Sequence, residues 1–196
     1  MKLLLLRHGL TDWNAEKRIQ GRIDRPLSEA GIAQIQSQRF PEAMHRLTWY
    51  CSPMLRARQT AELMEIQSPL LEPALTEMNW GDWEGKILKP LRKQLGDIMR
   101  ENEARGCDFC PPSGESPRLV QARLKPWLHK IGRQGEDCGA VVHKGIIRCL
   151  YALAFDWDMR GESPIEFDWT QLHELEIGSD GHLRPQYRSL ELINKS

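Results

Sequence analysis

Short apolar runs along the chain predict buried strands, and two of these runs end in a histidine. Residues 2–6 lead into Arg7-His8-Gly9, and residues 139–142 lead into His143. An apolar run of this length without polar alternation is typical of a strand that is covered on both faces, as in parallel sheets. The aromatic and β-prone stretch Leu47–Cys51 predicts a further strand.

Helical patterns alternate with these strands. We predict helices from a Ser28 cap to about Arg46, from Ser52-Pro53 to a point before Pro69, from Ile87 to Ala104, from Pro117 to about Arg133, and from Ile146 to Phe155. Ser followed by Pro is a strong helix start, with Ser as the N-cap and Pro at the first helical position. Pro126 should kink or shorten the fourth of these helices. The alternation of strands and helices predicts an α/β fold with a largely parallel sheet.

The remaining segments complete a single predicted domain over residues 1–196. Further strands are expected at 70–75, 171–177 and 182–193, and loops at 10–27, 76–85 and 106–114. Asp180-Gly181 is a good hairpin signal between the last two strands, and Pro185 indicates an edge strand or a bulge. The chain shows no internal repeat and no linker that would divide it.

Composition narrows the class of protein. The chain of 196 residues has 27 Lys and Arg against 27 Asp and Glu, so its formal net charge is zero. Nucleic-acid-binding proteins normally carry a basic excess, and we therefore expect no nucleic acid partner. No apolar run approaches the roughly 18 residues of a membrane helix, and the N-terminal leucines are too few for a signal peptide. Five Cys without an export signal argue against a disulfide framework, and we expect a cytoplasmic protein with no membrane partner.

The two strand-end histidines are the first candidates for a functional site. Ligands of open α/β sheets bind outside the carboxyl ends of the strands, where His8 and His143 are predicted to lie. For each histidine taken alone, a structural role at the end of its strand is the favoured interpretation. Arg7 favours a site, because an arginine directly after four leucines must be paired or must face a cavity.

Two more segments carry candidate chemistry. The helix start after Cys51 offers free amides and a positive dipole end to an anion, and Arg56, one turn in, offers a guanidinium fork for phosphate. A solvated surface arginine is the alternative. Glu77 lies among apolar and aromatic residues that can raise the pKa of a carboxyl enough for proton donation near neutral pH. The alternative there is a loop whose glycines and tryptophans only pack on the sheet.

Four motifs follow one another in a consistent order along the chain. They are Arg7-His8-Gly9, Ser52-Pro53 through Arg56 to Thr60-Ala61, Glu77 through Gly81-Asp-Trp-Glu-Gly85, and His143-Lys-Gly-Ile-Ile-Arg148. In order and approximate spacing they resemble the histidine phosphatase superfamily, the phosphoglycerate-mutase-like group. The resemblance covers almost the whole chain. It implies a three-layer αβα sandwich with a mostly parallel central sheet and one antiparallel edge strand.

The resemblance also implies a role for each matching residue. His8 resembles the nucleophile that forms a phosphohistidine. Arg7, Arg56 and His143 correspond to the cationic pocket around the phosphoryl oxygens. Glu77 resembles the general acid that protonates the leaving oxygen and then acts as base on the hydrolytic water. The resemblance implies no metal and no cofactor, since protein cations meet the charge of the phosphate.

The resemblance favours the hydrolytic members of the superfamily. Its cofactor-dependent mutases usually insert residues between the acid and the second histidine, and here that interval is 66 residues. Pro112-Ser-Gly-Glu-Ser116, followed by Arg123, is similar to the phosphatase branches, including α-ribazole phosphatase and the broad-specificity phosphatases. We therefore expect a phosphomonoester hydrolase that acts on a small phosphorylated metabolite. A cofactor-dependent phosphoglycerate mutase is the alternative, and a non-catalytic phospholigand-binding module is the third hypothesis.

The sequence allows more than one interpretation of several residues and of the oligomeric state. Asn14 follows the first motif, where members of the family add a polar phosphate contact. Lys144 stands where many relatives have a small residue, and it either adds a cation near the phosphate or faces solvent. Cys107 and Cys110 have zinc-ligand spacing, but structural zinc normally takes four ligands and no matching second pair follows, so two loop thiols are favoured. Trp169 is expected to be core or partly buried. A homodimer is compatible with the sequence, which does not determine the oligomeric state.

Overall fold

The computed structural model of the protein describes residues 1–195. Its strands are β1 (Lys2–Arg7), β2 (Gln38–Arg39), β3 (Thr48–Cys51), β4 (Leu70–Leu71), β5 (Cys138–Val142), β6 (Leu172–Ile177), β7 (Leu183–Leu190) and β8 (Ile193–Asn194). Its helices are α1 (Asp12–Ala15), α2 (Glu29–Gln36), α3 (Leu55–Leu63), α4 (Leu88–Leu95), α5 (Asp97–Glu103), α6 (Pro117–Gln134) and α7 (Lys144–Ala154). Short 3-10 turns cover Glu42–Arg46, Pro73–Leu75, Gly81–Trp83 and Gly106–Asp108.

Six strands form the central sheet in the order β4-β3-β5-β1-β6-β7. The strands β4, β3, β5 and β1 run parallel to one another, β6 is antiparallel to β1, and β7 is antiparallel to β6. The predicted α/β class with a mostly parallel sheet is therefore confirmed. The hairpin expected at Asp180-Gly181 joins β6 to β7, and β7, which contains Pro185, is an edge strand.

Helices cover both faces of the sheet and make three layers. Side chains of a strand alternate between its faces, so Leu3 and Leu5 of β1 point one way and Leu6 points the other. Leu3 and Leu5 belong to a core that includes apolar side chains of α6 and α7. Leu6 belongs to a second core with α2 and α3. The apolar run of β1 is continuous because both of its faces are buried.

The parallel strands bring three chain segments to one edge of the sheet. β1, β3 and β5 all end there, and β1 and β3 each continue into one residue that still makes a ladder-type hydrogen bond. The N–H of His8 donates to Val142 O at 3.0 Å, and the N–H of Ser52 donates to Val141 O at 3.0 Å. His143 follows β5 directly at the same edge. The candidate site is built where these segments meet.

The helix capped by Ser28 is shorter than predicted. It ends at Gln36 and does not continue to Arg46, because the chain leaves it as β2 and pairs with β8 near the C-terminus. Phe40 is buried beyond this point and stacks on Trp49 of β3 with ring centroids 4.6 Å apart. These distant partners override the local helical pattern.

Two other helices differ from expectation in opposite ways. The predicted helix over 87–104 is divided into α4 and α5 at Gly96, whose φ of +53° is a left-handed conformation that glycine adopts at little cost. In contrast, α6 continues past Pro126 to Gln134 and is not shortened. Leu124 and Trp127, which flank the proline, are buried in the core, and their packing opposes the loss of the helical hydrogen bond.

Other element boundaries are corrected by local contacts. The helix predicted to begin at Ser52-Pro53 begins at Leu55 instead. The strand predicted over 70–75 is limited to β4, because the Glu72 side chain accepts from the N–H of Ala74 and caps a 3-10 turn. The last helix begins at Lys144 and not at Ile146, and the last long strand is β7, shorter than the predicted 182–193.

The described residues show neither a helix fit to span a membrane nor a ready metal site. Within residues 1–195, no helix is both long enough and apolar enough to cross a bilayer. The same part of the chain gathers no group of three or more His, Cys, Asp or Glu side chains that could hold a metal ion. Cys107 and Cys110 are free thiols, and Cys107 is buried with its Sγ 3.8 Å from Gln121 Nε2.

Candidate active site

His8 is held in one tautomer by the turn that follows its strand. Its Nδ1 lies 2.7 Å from the carbonyl oxygen of Gly9, which can only accept, so Nδ1 carries the hydrogen and Nε2 keeps its lone pair. The turn is itself anchored by Thr60 of α3, whose hydroxyl accepts from the N–H of Gly9 at 2.9 Å. Burial, followed by the charges of Arg56 and Arg7, holds the pKa of His8 well below its usual value. The ring is therefore neutral and is available as a nucleophile.

His143 lies beside His8, with ring centroids 5.1 Å apart. Its Nε2 is 2.7 Å from the hydroxyl of Ser52, and that hydroxyl also accepts from the N–H of Met54 at 3.4 Å. The serine can therefore donate to Nε2, which leaves the hydrogen on Nδ1. Nδ1 is buried and has no hydrogen-bond partner among residues 1–195. Burial and the charge of Arg56 hold the pKa of His143 well below its usual value.

Arg56 is fully buried, although a surface position was the alternative reading of the sequence. Its Nη2 donates to the carbonyl of Gly21 at 2.9 Å, and its Nη1 to the carbonyl of Ile23 at 3.5 Å. The nearest ion pair is a loose one, with Nη1 3.8 Å from the Asp24 carboxylate. Its Nε is buried without a partner in the described part of the chain. Burial lowers the pKa of Arg56, and the charge of Glu77 opposes that shift.

Arg7 and Lys144 approach the same indole ring. The guanidinium carbon of Arg7 is 5.7 Å from the ring centroid of Trp169, and Lys144 Nζ is 4.9 Å from it, within the range of cation–π attraction. The Nε of Arg7 is buried and unpartnered within residues 1–195. Trp169 is half-buried as expected, but no sequence pattern predicted its contact with two cations of the site.

Glu77 is buried at the start of the loop that the sequence predicted. Its Oε1 accepts from the N–H of Met78 at 2.8 Å and its Oε2 from the N–H of Gly145 at 3.1 Å. Burial raises the pKa of Glu77, while these two hydrogen bonds and the charges of Arg56 and Arg7 oppose the shift. A Cβ on residue 145 would lie 2.3 Å from Glu77 Oε1, so the close approach requires glycine there. A carboxyl in this environment can retain a proton above the usual pH range.

Arg123 and Glu115 hold the backbone that carries Glu77, and the sequence did not assign them this role. Arg123 donates to the carbonyls of Ala74 and Thr76, the latter at 2.6 Å, and more weakly to that of Glu77 at 3.4 Å. Its Nε donates to Glu115 Oε1 at 2.9 Å. The sequence marks the motif around Glu115 only as a feature of one branch, since no local pattern links Arg123 to carbonyls 46 to 49 residues away.

Glu84 holds the loop around Arg56 in the same manner, and the sequence did not assign it this role. One carboxylate oxygen accepts from the N–H groups of Arg22 and Trp80, at 2.7 and 3.1 Å, and the other accepts from the N–H of Ile23 at 2.8 Å. These bonds fix the loop whose carbonyls receive Arg56. Glu84 occurred in the third motif, but its partners Arg22 and Ile23 lie about 60 residues earlier.

The N-terminus of α3 and the side chain of Asn14 both have hydrogen-bond partners within the chain. The N-terminus of α3 was predicted to bind an anion, but the N–H of Leu55 already donates to both oxygens of the Asp24 carboxylate, each at 2.9 Å. The chain thus supplies its own carboxylate to this amide, and an external anion at that helix end stays a prediction. The side-chain oxygen of Asn14 accepts from the N–H and the hydroxyl of Thr11, at 2.9 and 3.1 Å. A phosphate contact by Asn14 stays a prediction.

Comparisons with known proteins agree on the family. A family model described as the histidine phosphatase superfamily (branch 1) matches residues 3–187. The chain is 32% identical to phosphoglycerate mutase-like protein 4 of Arabidopsis thaliana, over 78% of this chain and 70% of that protein. It is 35% identical to fructose-2,6-bisphosphatase TIGAR of Xenopus laevis over 66% of this chain, and the match spans only 49% of the frog protein. A crystal structure of phosphoglycerate mutase from Thermus thermophilus is 30% identical, covers 100% of both chains, and superimposes with a TM-score of 0.73.

These similarities agree with the four motifs and with the layered α/β architecture. The family match begins within β1 and ends within β7, so it includes every segment that contributes to the site. The named relatives are one fructose-2,6-bisphosphatase and two proteins with phosphoglycerate mutase in their names. The comparisons therefore include both a hydrolase and mutases, and they do not select between these two activities. The resemblance noted in the sequence is confirmed: the chain belongs to branch 1 of the histidine phosphatase superfamily.

Proposed function

We propose that the protein hydrolyses phosphomonoesters of a small metabolite through a phosphohistidine on His8. One observation carries the proposal. Arg7 Nε, Arg56 Nε and His143 Nδ1 are buried donors without partners in residues 1–195, and all three belong to neighbours of His8: the charges of the two arginines lower the pKa of His8, and the His143 ring centroid lies 5.1 Å from that of His8. Buried donors are nearly always hydrogen-bonded, so three unpaired donors beside one nucleophile fit a bound phosphoryl group.

The first half-reaction uses the neutral His8 ring. Its Nε2 attacks phosphorus and forms the P–N bond while the ester P–O bond breaks, and the proton on Glu77 passes to the leaving oxygen. The cations of Arg7 and Arg56 and the N–H of His143 stabilise the charge on the phosphoryl oxygens in the transition state. The lowered pKa of His8 and the raised pKa of Glu77 give each group the protonation state that this step requires.

The second half-reaction returns the site to its starting state. The ionised Glu77 removes a proton from water, the water oxygen attacks phosphorus, and the P–N bond breaks to release inorganic phosphate. Glu77 is then protonated and His8 is again neutral. All of the groups used belong to this chain, so the proposal involves no metal and no cofactor.

Phosphoglycerate mutase is the second candidate, and the mutase names of two similar proteins favour it. Both functions share the first half-reaction and differ in what accepts the phosphoryl group from His8, which is water in one case and a hydroxyl in the other. Interconversion of 2- and 3-phosphoglycerate that is stimulated by the bisphosphate, and faster than phosphate release, would replace hydrolysis as the conclusion. A non-catalytic phospholigand-binding module remains disfavoured, because both the nucleophile and the acid are present.

Phosphate release from p-nitrophenyl phosphate in the presence of a chelator tests the proposal. The His8→Ala variant should lose activity by several orders of magnitude, whereas His129→Ala, a histidine exposed on α6, should retain it. Rapid quenching with a phosphorus-labelled substrate should trap an acid-labile, alkali-stable adduct that His8→Ala does not form. Equal activity of His8→Ala and the unmodified protein, or a strict metal requirement, would refute the proposal.

A further inference from the structure

Three cations near the site have no acidic partner. Arg7, Lys144 and Arg148 form no ion pair within residues 1–195. Arg7 and Lys144 instead share the ring of Trp169, and Arg148 lies over Trp157, 5.6 Å from its ring centroid. Aromatic faces compensate only part of the cost of gathering like charges. The charge of Glu77 acts on Arg7 and Lys144 but forms no ion pair with them, so the three cations can accept a further anion.

The indole ring that holds Lys144 is itself fixed from behind. Trp169 stacks on Phe167 with ring centroids 4.8 Å apart, and its ring centroid is 5.7 Å from that of the buried His173. Lys144 is exposed, yet burial of its surroundings and the charges of Arg7 and Arg148 lower its pKa. A solvated surface lysine would not be held against a ring so close to two other cations. The position suits an ammonium that meets an incoming anion.

Lys144 is on the side of the site where the leaving group departs. The residue after it, Gly145, donates its N–H to the carboxylate of Glu77. Glu77 protonates the leaving oxygen, which lies opposite the attacking His8 in an in-line displacement. The alcohol that leaves must therefore pass the segment that carries Lys144. In the proposed function, Arg7, Arg56 and His143 already bind the phosphoryl group.

We infer that Lys144, steadied by Trp169, binds a second anionic group on the alcohol part of the substrate. The preferred substrates are then phosphomonoesters whose alcohol also carries a carboxylate or a second phosphate, in place of neutral sugars or simple alcohols. This inference rests on the proposed function for the direction in which the alcohol leaves. It makes Lys144 a residue that determines specificity.

A matched pair of esters measures this effect directly. Phenyl phosphate and 4-carboxyphenyl phosphate differ by one carboxylate on the leaving group, and comparing the ratio of their kcat/KM values between variants cancels their intrinsic reactivities. In Lys144→Met we expect that ratio to shift against the carboxylated ester by about tenfold, the size of one hydrogen bond to a charged group. Lys144→Arg should keep most of the preference, and Lys144→Glu should reverse it.

The controls separate a local effect from a general one. Lys130→Met removes an exposed lysine far along α6 and should leave the ratio and both rates unchanged. Trp169→Leu should weaken the preference, because the ammonium is no longer held in place. An equal loss for both esters in Lys144→Met would assign the lysine to the transferred phosphoryl group and overturn the inference. No change for either ester would overturn it as well.

A binding measurement distinguishes failure of the inference from failure of the proposed function. Calorimetry with 3-phosphonopropionate and propylphosphonate compares a carboxylate with a methyl group on ligands that cannot be hydrolysed. The unmodified protein should bind the carboxylated phosphonate about tenfold more tightly, and Lys144→Met should lose that difference. If neither ester is hydrolysed but this difference is found, the hydrolase proposal fails and the second anion site stands. Equal binding of both phosphonates by the unmodified protein would refute the site.

Discussion

Arg123→Met removes hydrogen bonds to the backbone that carries Glu77, the proposed general acid, and leaves the Glu77 side chain unchanged. The methionine keeps much of the length and apolar stem of the side chain, but it deletes the donors to the carbonyls of Ala74, Thr76 and Glu77 and to the Glu115 carboxylate. Glu115 would retain two donors, the N–H of Asn79 at 3.0 Å and Nη2 of Arg22 at 3.2 Å. The groups that lose a hydrogen-bond donor without replacement are therefore the three carbonyls just before and at Glu77.

The size of the effect on stability follows from these contacts. The Arg123 side chain is 21% exposed and its Glu115 partner 16%, so the pair is largely but not fully buried. Leaving a buried acceptor without its donor costs about 1–3 kcal/mol, and the three partly buried carbonyls together give a loss of about 3 kcal/mol in the free energy of unfolding. For a domain of this size that corresponds to a fall in melting temperature of about 6–12 °C.

The effect on catalysis should depend on the leaving group. A displacement of Glu77 by about 1 Å is expected to cost about 100-fold in kcat/KM where proton donation is essential. Glycerol 2-phosphate has a poor leaving group and should show that loss. p-Nitrophenyl phosphate has a leaving group that departs with little help from an acid, so its kcat/KM should fall only a few-fold. Both esters are assayed well below the melting temperature of the variant.

Two controls make this prediction refutable. Arg118→Met on the same helix breaks an exposed ion pair with Asp108 and should change neither activity nor, to any large extent, stability. Arg123→Lys keeps the charge and should recover part of the stability but little of the geometry, since the planar fork is lost. Equal losses on both esters, or an unchanged rate on glycerol 2-phosphate, would refute the assignment of Arg123 as a residue that positions Glu77.

Three more predictions follow from other contacts. His173 is fully buried with neither ring nitrogen partnered in residues 1–195, and burial lowers its pKa to about 4. The folded state therefore binds a proton at His173 less readily than the unfolded chain, so the free energy of unfolding falls as pH drops from about 6.5 towards 4. In urea unfolding at pH 4.5, His173→Phe should remove about 2.5 kcal/mol of that loss. An unchanged pH slope would contradict this. Gly145→Ala places a Cβ against Glu77 and should lower kcat/KM on glycerol 2-phosphate about 100-fold, and a normal rate would argue against that clash. Ser52→Ala unpairs His143 and should lower phosphate release about tenfold, whereas full activity would mean that the serine does not orient the ring.

The sequence alone determined the class of fold and the segments that reach the site. The apolar runs of β1 and β5 identified two strands covered on both faces. His8 and His143 follow these strands, and their rings are adjacent in the structure. Such runs are informative because burial on both faces demands apolar side chains at every position. The order of the four motifs identified the family, which the comparison then confirmed.

Local signals were least reliable where a distant residue supplies the stabilising contact. Ser52-Pro53 has the composition of a helix start, yet Asp24 caps α3 at Leu55 and leaves the serine for His143. The helix after Ser28 was predicted too long for the same reason, since β2 pairs with the C-terminal β8. Propensity contributes a fraction of a kcal/mol per residue, and tertiary contacts exceed it readily.

What only the tertiary structure decided is the environment of each functional group. The sequence named Glu77 and Arg56, but burial and neighbouring charge set their pKa values, and both depend on chain segments that are far apart in sequence. The hydrogen bonds of Arg123 to Thr76 and of Glu84 to Arg22 join residues 47 and 62 positions apart, and no periodicity in the sequence records such a pairing. Periodicity reports which face of a strand or helix is buried, whereas a hydrogen bond between loops depends on how the completed layers pack together.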